Sequence, residues 1–300
     1  VPPVAVALVL FAGVLHVTWN VLLKTAGDPL RTAATGIVVA AVVAVPAAIV
    51  GWLAVGRPVI PPEVVGLGIL SAAIEVAFFV LLSAAYRRGD LSVVYPIARG
   101  TAPLLAVLLG VVALGERLPP AGWLGVALLL GGLLALQRPW RLLRAASRQG
   151  RIDPAVPFAL ATGVSIAGYS AVDRVATQLV APWLYAAFLW AGMAVGLGVL
   201  VVTLDARARA RGAAPAPIDR PRAAVGGILT LAAYLLVLGA LAIAPLAAVA
   251  PLRESAIVLA SGWGVFRLRE ASGRPDAALR LASAALVLAG ALLLALGGSR

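Results

Sequence analysis

Ten stretches of this sequence stay apolar for about twenty residues each, and no other feature restricts the fold so strongly. They lie near residues 4–24, 32–55, 64–86, 92–115, 120–137, 154–176, 181–204, 222–243, 246–268 and 277–297. About 20 apolar residues in helical form cross the hydrocarbon core of a bilayer. Lipid supplies no hydrogen bonds, so a spanning segment must satisfy its own backbone, which a helix does. The charge content agrees. Only 12% of the residues are charged, against about 25% in soluble domains, too few to coat a water-soluble core of this size. The expected fold class is an all-α integral membrane protein with ten transmembrane helices, multi-pass in the cytoplasmic membrane. The first run follows "VPP", which carries no positive charge, so it reads as a retained span rather than a signal peptide. Arg outnumbers Lys 23 to 1, the usage of a GC-rich bacterial genome.

The runs repeat. "GVLHVTWNVLLKTA" (13–26) aligns with "GVSIAGYSAVDRVA" (163–176), placing Trp19 over Tyr169, Asn20 over Ser170 and Lys24 over Arg174. "YPI" (95–97) parallels "APL" (250–252), Glu116 parallels Glu270, and Gly132 parallels Gly290. The same order in both places predicts a duplicated unit of five helices: a first half over 1–138, a basic linker over 139–153 and a second half over 154–300. An odd number of spans turns the second half upside down, which gives two inverted five-helix repeats. That is a transporter architecture, with the site between the halves near the midplane.

Arginines set the orientation. Eighteen Lys and Arg fall in the odd-numbered loops, against four in the even loops and the C-terminus. Basic loops stay in the cytoplasm, so this distribution places both termini outside. The net charge of +12 is then explained by topology and anionic lipid rather than by nucleic acid. With no Cys and one His, disulfides, thiolate sites and histidine-cluster metal sites are excluded. No phosphate-binding loop or nucleophile motif is present, so no cofactor is expected and an enzyme is not.

Ionisable groups inside spans are expensive and carry a role. Glu75 lies at the middle of its run. Arg99, Arg253 and Glu254 follow Pro96 and Pro251 by two or three residues at matching places in the two halves. Proline frees backbone carbonyls of the preceding turn, which suits a helix that lines a cavity. Two Arg and two Glu balance, which fits a zwitterionic ligand and equally fits two internal ion pairs, Arg99 pairing with Glu75 or with Glu254. His16, Trp19, Asn20 and Leu23 share one helical face, which should look into the bundle. Tyr95, beside Pro96, and Tyr169, the counterpart of Trp19, complete the candidate set. Glu75 is also a candidate proton carrier if its distance to Arg99 changes between access states. Lys24 reads as a snorkelling anchor. Glu116 and Glu270 read as interfacial caps or partners of nearby Arg. The small residues of "GVALLLGG" and "ALVLAG" read as close helix contacts.

"HVTWNVLLK", "AYRRGDLSVVYPIARGTAPLLAVLLGVVALGERL" and "GVALLLGG" resemble the first half of EamA-type carriers of the drug/metabolite transporter superfamily. "GYSAVDR", "APLRESAIVLASGWGVFRLRE" and "LVLAGALLLAL" resemble the second half. The resemblance implies a ten-helix secondary carrier with a central cavity. Its substrates would be amino acids, other metabolites or drugs, exchanged for protons or a counter-substrate. It also implies termini inside, opposite to the arginine count. The acid that small multidrug relatives carry in their first helix is replaced here by His16, Trp19 and Asn20. The expected function is alternating-access transport, as an exporter, of a small polar or zwitterionic, amino-acid-like metabolite. A multidrug carrier and a non-transporting membrane scaffold are the alternatives.

Overall fold

The computed structural model describes residues 1–25, 27–88, 91–137, 154–254 and 274–296. Ten helices run through these residues: α1 Pro3–Thr25, α2 Pro29–Ala54, α3 Pro62–Tyr86, α4 Leu91–Leu108, α5 Pro120–Gln137, α6 Ala155–Leu179, α7 Pro182–Ala210, α8 Arg220–Ile243, α9 Leu246–Glu254 and α10 Arg274–Leu296. Each expected run overlaps one of them. Helices α2, α3, α6, α7 and α8 are long and apolar enough to cross a membrane, while α1, α4, α5 and α10 hold shorter apolar stretches. The linker at 139–153 and Glu270 lie outside the described residues.

Local chemistry marks the ends. Asp28 and Asp219 accept from the backbone N–H of Arg31 (2.9 Å) and Arg222 (3.1 Å), capping α2 and α8. These caps satisfy donors that the helix itself leaves open. Proline stands in the first turn of α2, α3 and α7, where its missing N–H costs nothing. At its C-terminal end α4 widens into a π-helical turn, Leu109–Ala113.

Helices are paired across the chain more than along it. The main contacts are α5 with α10, α1 with α8, α3 with α6, α4 with α6, and α2 with both α7 and α8. Large apolar side chains such as Val42, Val112, Val195 and Leu296 point outward and are two-thirds exposed or more. In a membrane-type helical protein that surface faces lipid. Lipid tails are as apolar as Leu, so association depends on close packing at small residues. The structure bears this out at the α5–α10 seam. A Cβ on Gly290 would stand 2.6 Å from the Gly125 carbonyl oxygen, and one on Gly132 would stand 2.8 Å from that of Ser283.

Gly290→Leu should therefore lower stability by about 1–3 kcal/mol through overpacking. Gly131→Leu on α5, where a Cβ meets nothing within 4 Å, should leave it unchanged. Thermal unfolding in detergent checks the pair, and equal effects would show that the seam tolerates bulk.

Candidate functional site

Polar side chains from six helices converge on a cavity of about 150 Å³. This is many times the ~10–15 Å³ that one water needs. His16 and Trp19 of α1, Glu75 of α3, Arg99 of α4, Tyr169 of α6, Tyr234 of α8 and Arg253 of α9 line it. The cavity runs from mid-bundle toward the end that holds Pro29 and Tyr86. His16 and Trp19 share the inward face read from their spacing. The side chains of Asn20 and Tyr95 lie outside the described residues.

One wall is cationic. Arg99 Nη1 donates to both carboxylate oxygens of Glu254, at 3.0 and 3.2 Å, and Arg99 Nη2 stands 2.8 Å from His16 Nε2. Trp19 Nε1 donates to His16 Nδ1 at 3.0 Å. Of the two partners left open for Arg99, the fold selects Glu254 and not Glu75. Glu254 is 2% exposed, so it needs such a partner: removing one member of a buried pair costs about 3–5 kcal/mol. Arg253 is held less completely. Its Nη1 reaches Ser170 Oγ at 3.5 Å and its Nε lies 3.6 Å from Glu254, without a hydrogen bond there. The guanidinium sits over the Tyr169 ring, 5.8 Å from its centroid.

The opposite wall is acidic, and the sequence reading missed most of it. Tyr234 Oη is 2.6 Å from Glu75 Oε1 and also hydrogen-bonds Asp173 Oδ2. Ser71 Oγ and Tyr185 Oη donate to Asp173 Oδ1 at 2.6 and 2.7 Å. Asp173 is 1% exposed, and Glu75 is 6% exposed. Asp173 stands beside Arg174 near a helix end and aligns with the apolar Leu23 of the first repeat, so it reads as a loop charge. Only the length of α6, which runs to Leu179, places it in the interior.

Arg174, one of the four basic residues that the sequence places in the even loops and the C-terminus, is also interior. It lies within α6 and donates from Nε to Glu116 Oε1 at 3.1 Å and from Nη1 to the Leu241 carbonyl. Glu116 also accepts the N–H groups of Leu246 (2.7 Å) and Ala247 (2.9 Å), the open donors of the α9 N-terminus. Thus Glu116 is both a cap and an arginine partner. It ties α4, α6, α8 and α9 together at the end of the bundle opposite Pro29 and Tyr86. Among the described residues no three His, Asp or Glu converge as a metal site.

Among the described residues the architecture is wholly helical, with a cavity between the helix interiors. Residues 3–137 match the EamA-like transporter family. The spermidine export protein MdtI of Salmonella paratyphi B and that of Salmonella newport are each 43% identical to this chain over 70 residues. Those residues are 23% of this chain, which spans only 64% of the length of these curated relatives. A solved crystal structure aligns over 98% of this chain and 99% of its own, with a TM-score of 0.66 at 21% identity. This last likeness is one of fold. The matched stretch ends at the last residue of α5, and Glu116 within it contacts the helices that follow.

Breaking that junction should open the far end. Ala247 is fully buried, and the chain has no native Cys. Ala247→Cys should label slowly with a water-soluble thiol reagent, and Glu116→Ala in the same background, which removes three hydrogen bonds to the carboxylate of roughly 1.5–3 kcal/mol each, should raise the rate by about tenfold or more. An unchanged rate would mean that Glu116 does not close this end.

Proposed function

We propose that this EamA-like protein is a secondary transporter for a small zwitterionic, amino-acid-like metabolite, and that it works by alternating access between two inverted halves. The observation that carries the substrate class is Arg253. Among the described residues its five donors meet only the long contact to Ser170 and the Glu254 ion pair, beside the Tyr169 ring, and it lines the cavity together with Glu75. A carboxylate at Arg253 and an ammonium group at Glu75 would satisfy both walls at once. The proposed substrate-binding set is His16, Trp19, Asn20, Glu75, Tyr95, Arg99, Tyr169, Arg253 and Glu254.

The contact pattern supports the repeat. Exchanging α1–α5 with α6–α10 turns the α1–α8 contact into α6–α3, and α2–α8 into α7–α3. All four contacts are present, while α2–α7 and α5–α10 map onto themselves. This pairing supports the proposed halves, 1–138 and 154–300, joined by the linker over 139–153. One end is open toward Pro29 and Tyr86, and the other is tied by Glu116 and Arg174, which is the asymmetry of a single access state. The spermidine relatives suggest a cationic cargo. The two cavity arginines favour a zwitterion instead.

Reconstituted protein should move a zwitterionic amino acid from a labelled panel, and Arg253→Gln should reduce its flux about tenfold or more while leaving the protein folded. Faster movement of spermidine than of any zwitterion, insensitive to Arg253→Gln, would overturn the substrate assignment.

The cavity end carries Arg31, Arg87, Arg88 and the arginines from 207 to 222. Arginine-rich ends stay in the cytoplasm, so the open state faces inward and both termini face out. Single cysteines placed in 138–153 and 205–222 should resist impermeant reagents in intact cells and react after permeabilisation. Labelling from outside would establish the opposite orientation, the one implied by the family resemblance.

A further inference from the structure

The acidic wall has an unbalanced proton count. Tyr234 Oη carries one hydrogen but lies within hydrogen-bonding distance of Glu75 Oε1 and of Asp173 Oδ2. An ionised carboxylate only accepts. With both acids ionised, one of the two oxygen–oxygen contacts would hold no proton, in a buried site where an unmade bond is costly. Ser71 and Tyr185 do not repair this, because both donate to the other oxygen of Asp173, Oδ1.

One added proton satisfies the whole chain in two ways. Placed on Asp173 Oδ2, it is donated to Tyr234 Oη while Tyr234 donates to Glu75. Placed on Glu75 Oε1, it is donated to Tyr234 Oη while Tyr234 donates to Asp173. The two arrangements interconvert when both protons shift along their O–H···O lines. Two O–H bonds break, two form, and the single negative charge passes from one carboxylate to the other. Glu75 lines the cavity, whereas Asp173 is buried beyond Tyr234. The other polar or charged groups around this chain, among the described residues, include Ser71 on α3, Tyr169 on α6, Tyr185 and Trp190 on α7 and Arg253 on α9. Arg253 is the cavity cation on this side, seated over the Tyr169 ring. His16 of α1 and Arg99 of α4 belong to the opposite wall, where Glu254 of α9 neutralises Arg99.

We propose that Glu75, Tyr234 and Asp173 together hold one shared proton at rest, and that an ammonium group entering at Glu75 displaces it, so that an amine-bearing substrate and a proton are carried in exchange. The acidic wall then keeps one net negative charge whether proton or ammonium is present. The exchange rests on the transport reading above; the shared proton does not, because it belongs to the resting protein.

Infrared spectroscopy of the full chain in vesicles reads the proton directly. The wild type should show the C=O stretch of one protonated carboxyl group at neutral pH. Glu75→Gln and Asp173→Asn should each remove that same band, since either variant leaves one acid with donors enough. Persistence in either folded variant, or no band in the wild type, overturns the shared site. Tyr234→Phe keeps the test decisive if a carboxamide variant does not fold: the band should move or vanish, and an unchanged band is contrary. Methylammonium then serves as the amine probe. It should abolish the band and release one proton per protein to a pH dye in weakly buffered medium, and binding without release overturns the exchange. Absence of amino-acid flux would sink the transport reading while leaving the band in place.

Discussion

Hydrocarbon offers no hydrogen bonds, and the rest of this structure follows from that constraint. Backbone groups close on themselves as helices. Polar side chains must find partners among one another, so they gather in the interior instead of spreading over the surface. Arg99 turns to Glu254, Asp173 collects Ser71, Tyr185 and Tyr234, and Glu116 caps α9 while holding Arg174. A cavity lined by two walls of opposite character is the outcome.

The same constraint shapes the packing. Helices in lipid gain little from apolar burial against one another, so they meet where the backbones come closest. Gly125 faces Gly290 on α5 and α10, and Gly36 faces Gly227 on α2 and α8. These contacts join elements distant in sequence and leave α1, α3, α4, α6, α8 and α9 around the cavity. Small-residue seams on the periphery position the ionisable residues inside.

Much of this was legible in the chain. Run lengths give the helices, the fixed order of matched motifs gives the repeat on which the proposed inversion rests, and the EamA-like match over 3–137 agrees with the motifs read there. His16, Trp19, Glu75, Arg99, Tyr169 and Arg253 were selected because polar groups in apolar runs are costly, and all six line one cavity. Asp173, Tyr185 and Tyr234 carry no such mark in the sequence. A tyrosine in a span looks like an interfacial anchor, and an acid beside an arginine near a helix end looks like a loop. The missing signal was depth, since α6 continues past both charges.

By itself the sequence determined that the chain is helical and membrane-type, where its helices lie, and which side chains could not face lipid. Those properties depend on local composition and on the length of each run. Only the tertiary structure decided who partners whom: Arg99 with Glu254 instead of Glu75, Arg174 with Glu116, and Tyr234 between two acids 98 residues apart in the chain. Pairing is a matter of distance between helices, and that distance is fixed by which small-residue faces meet across the bundle, a property no single apolar run contains.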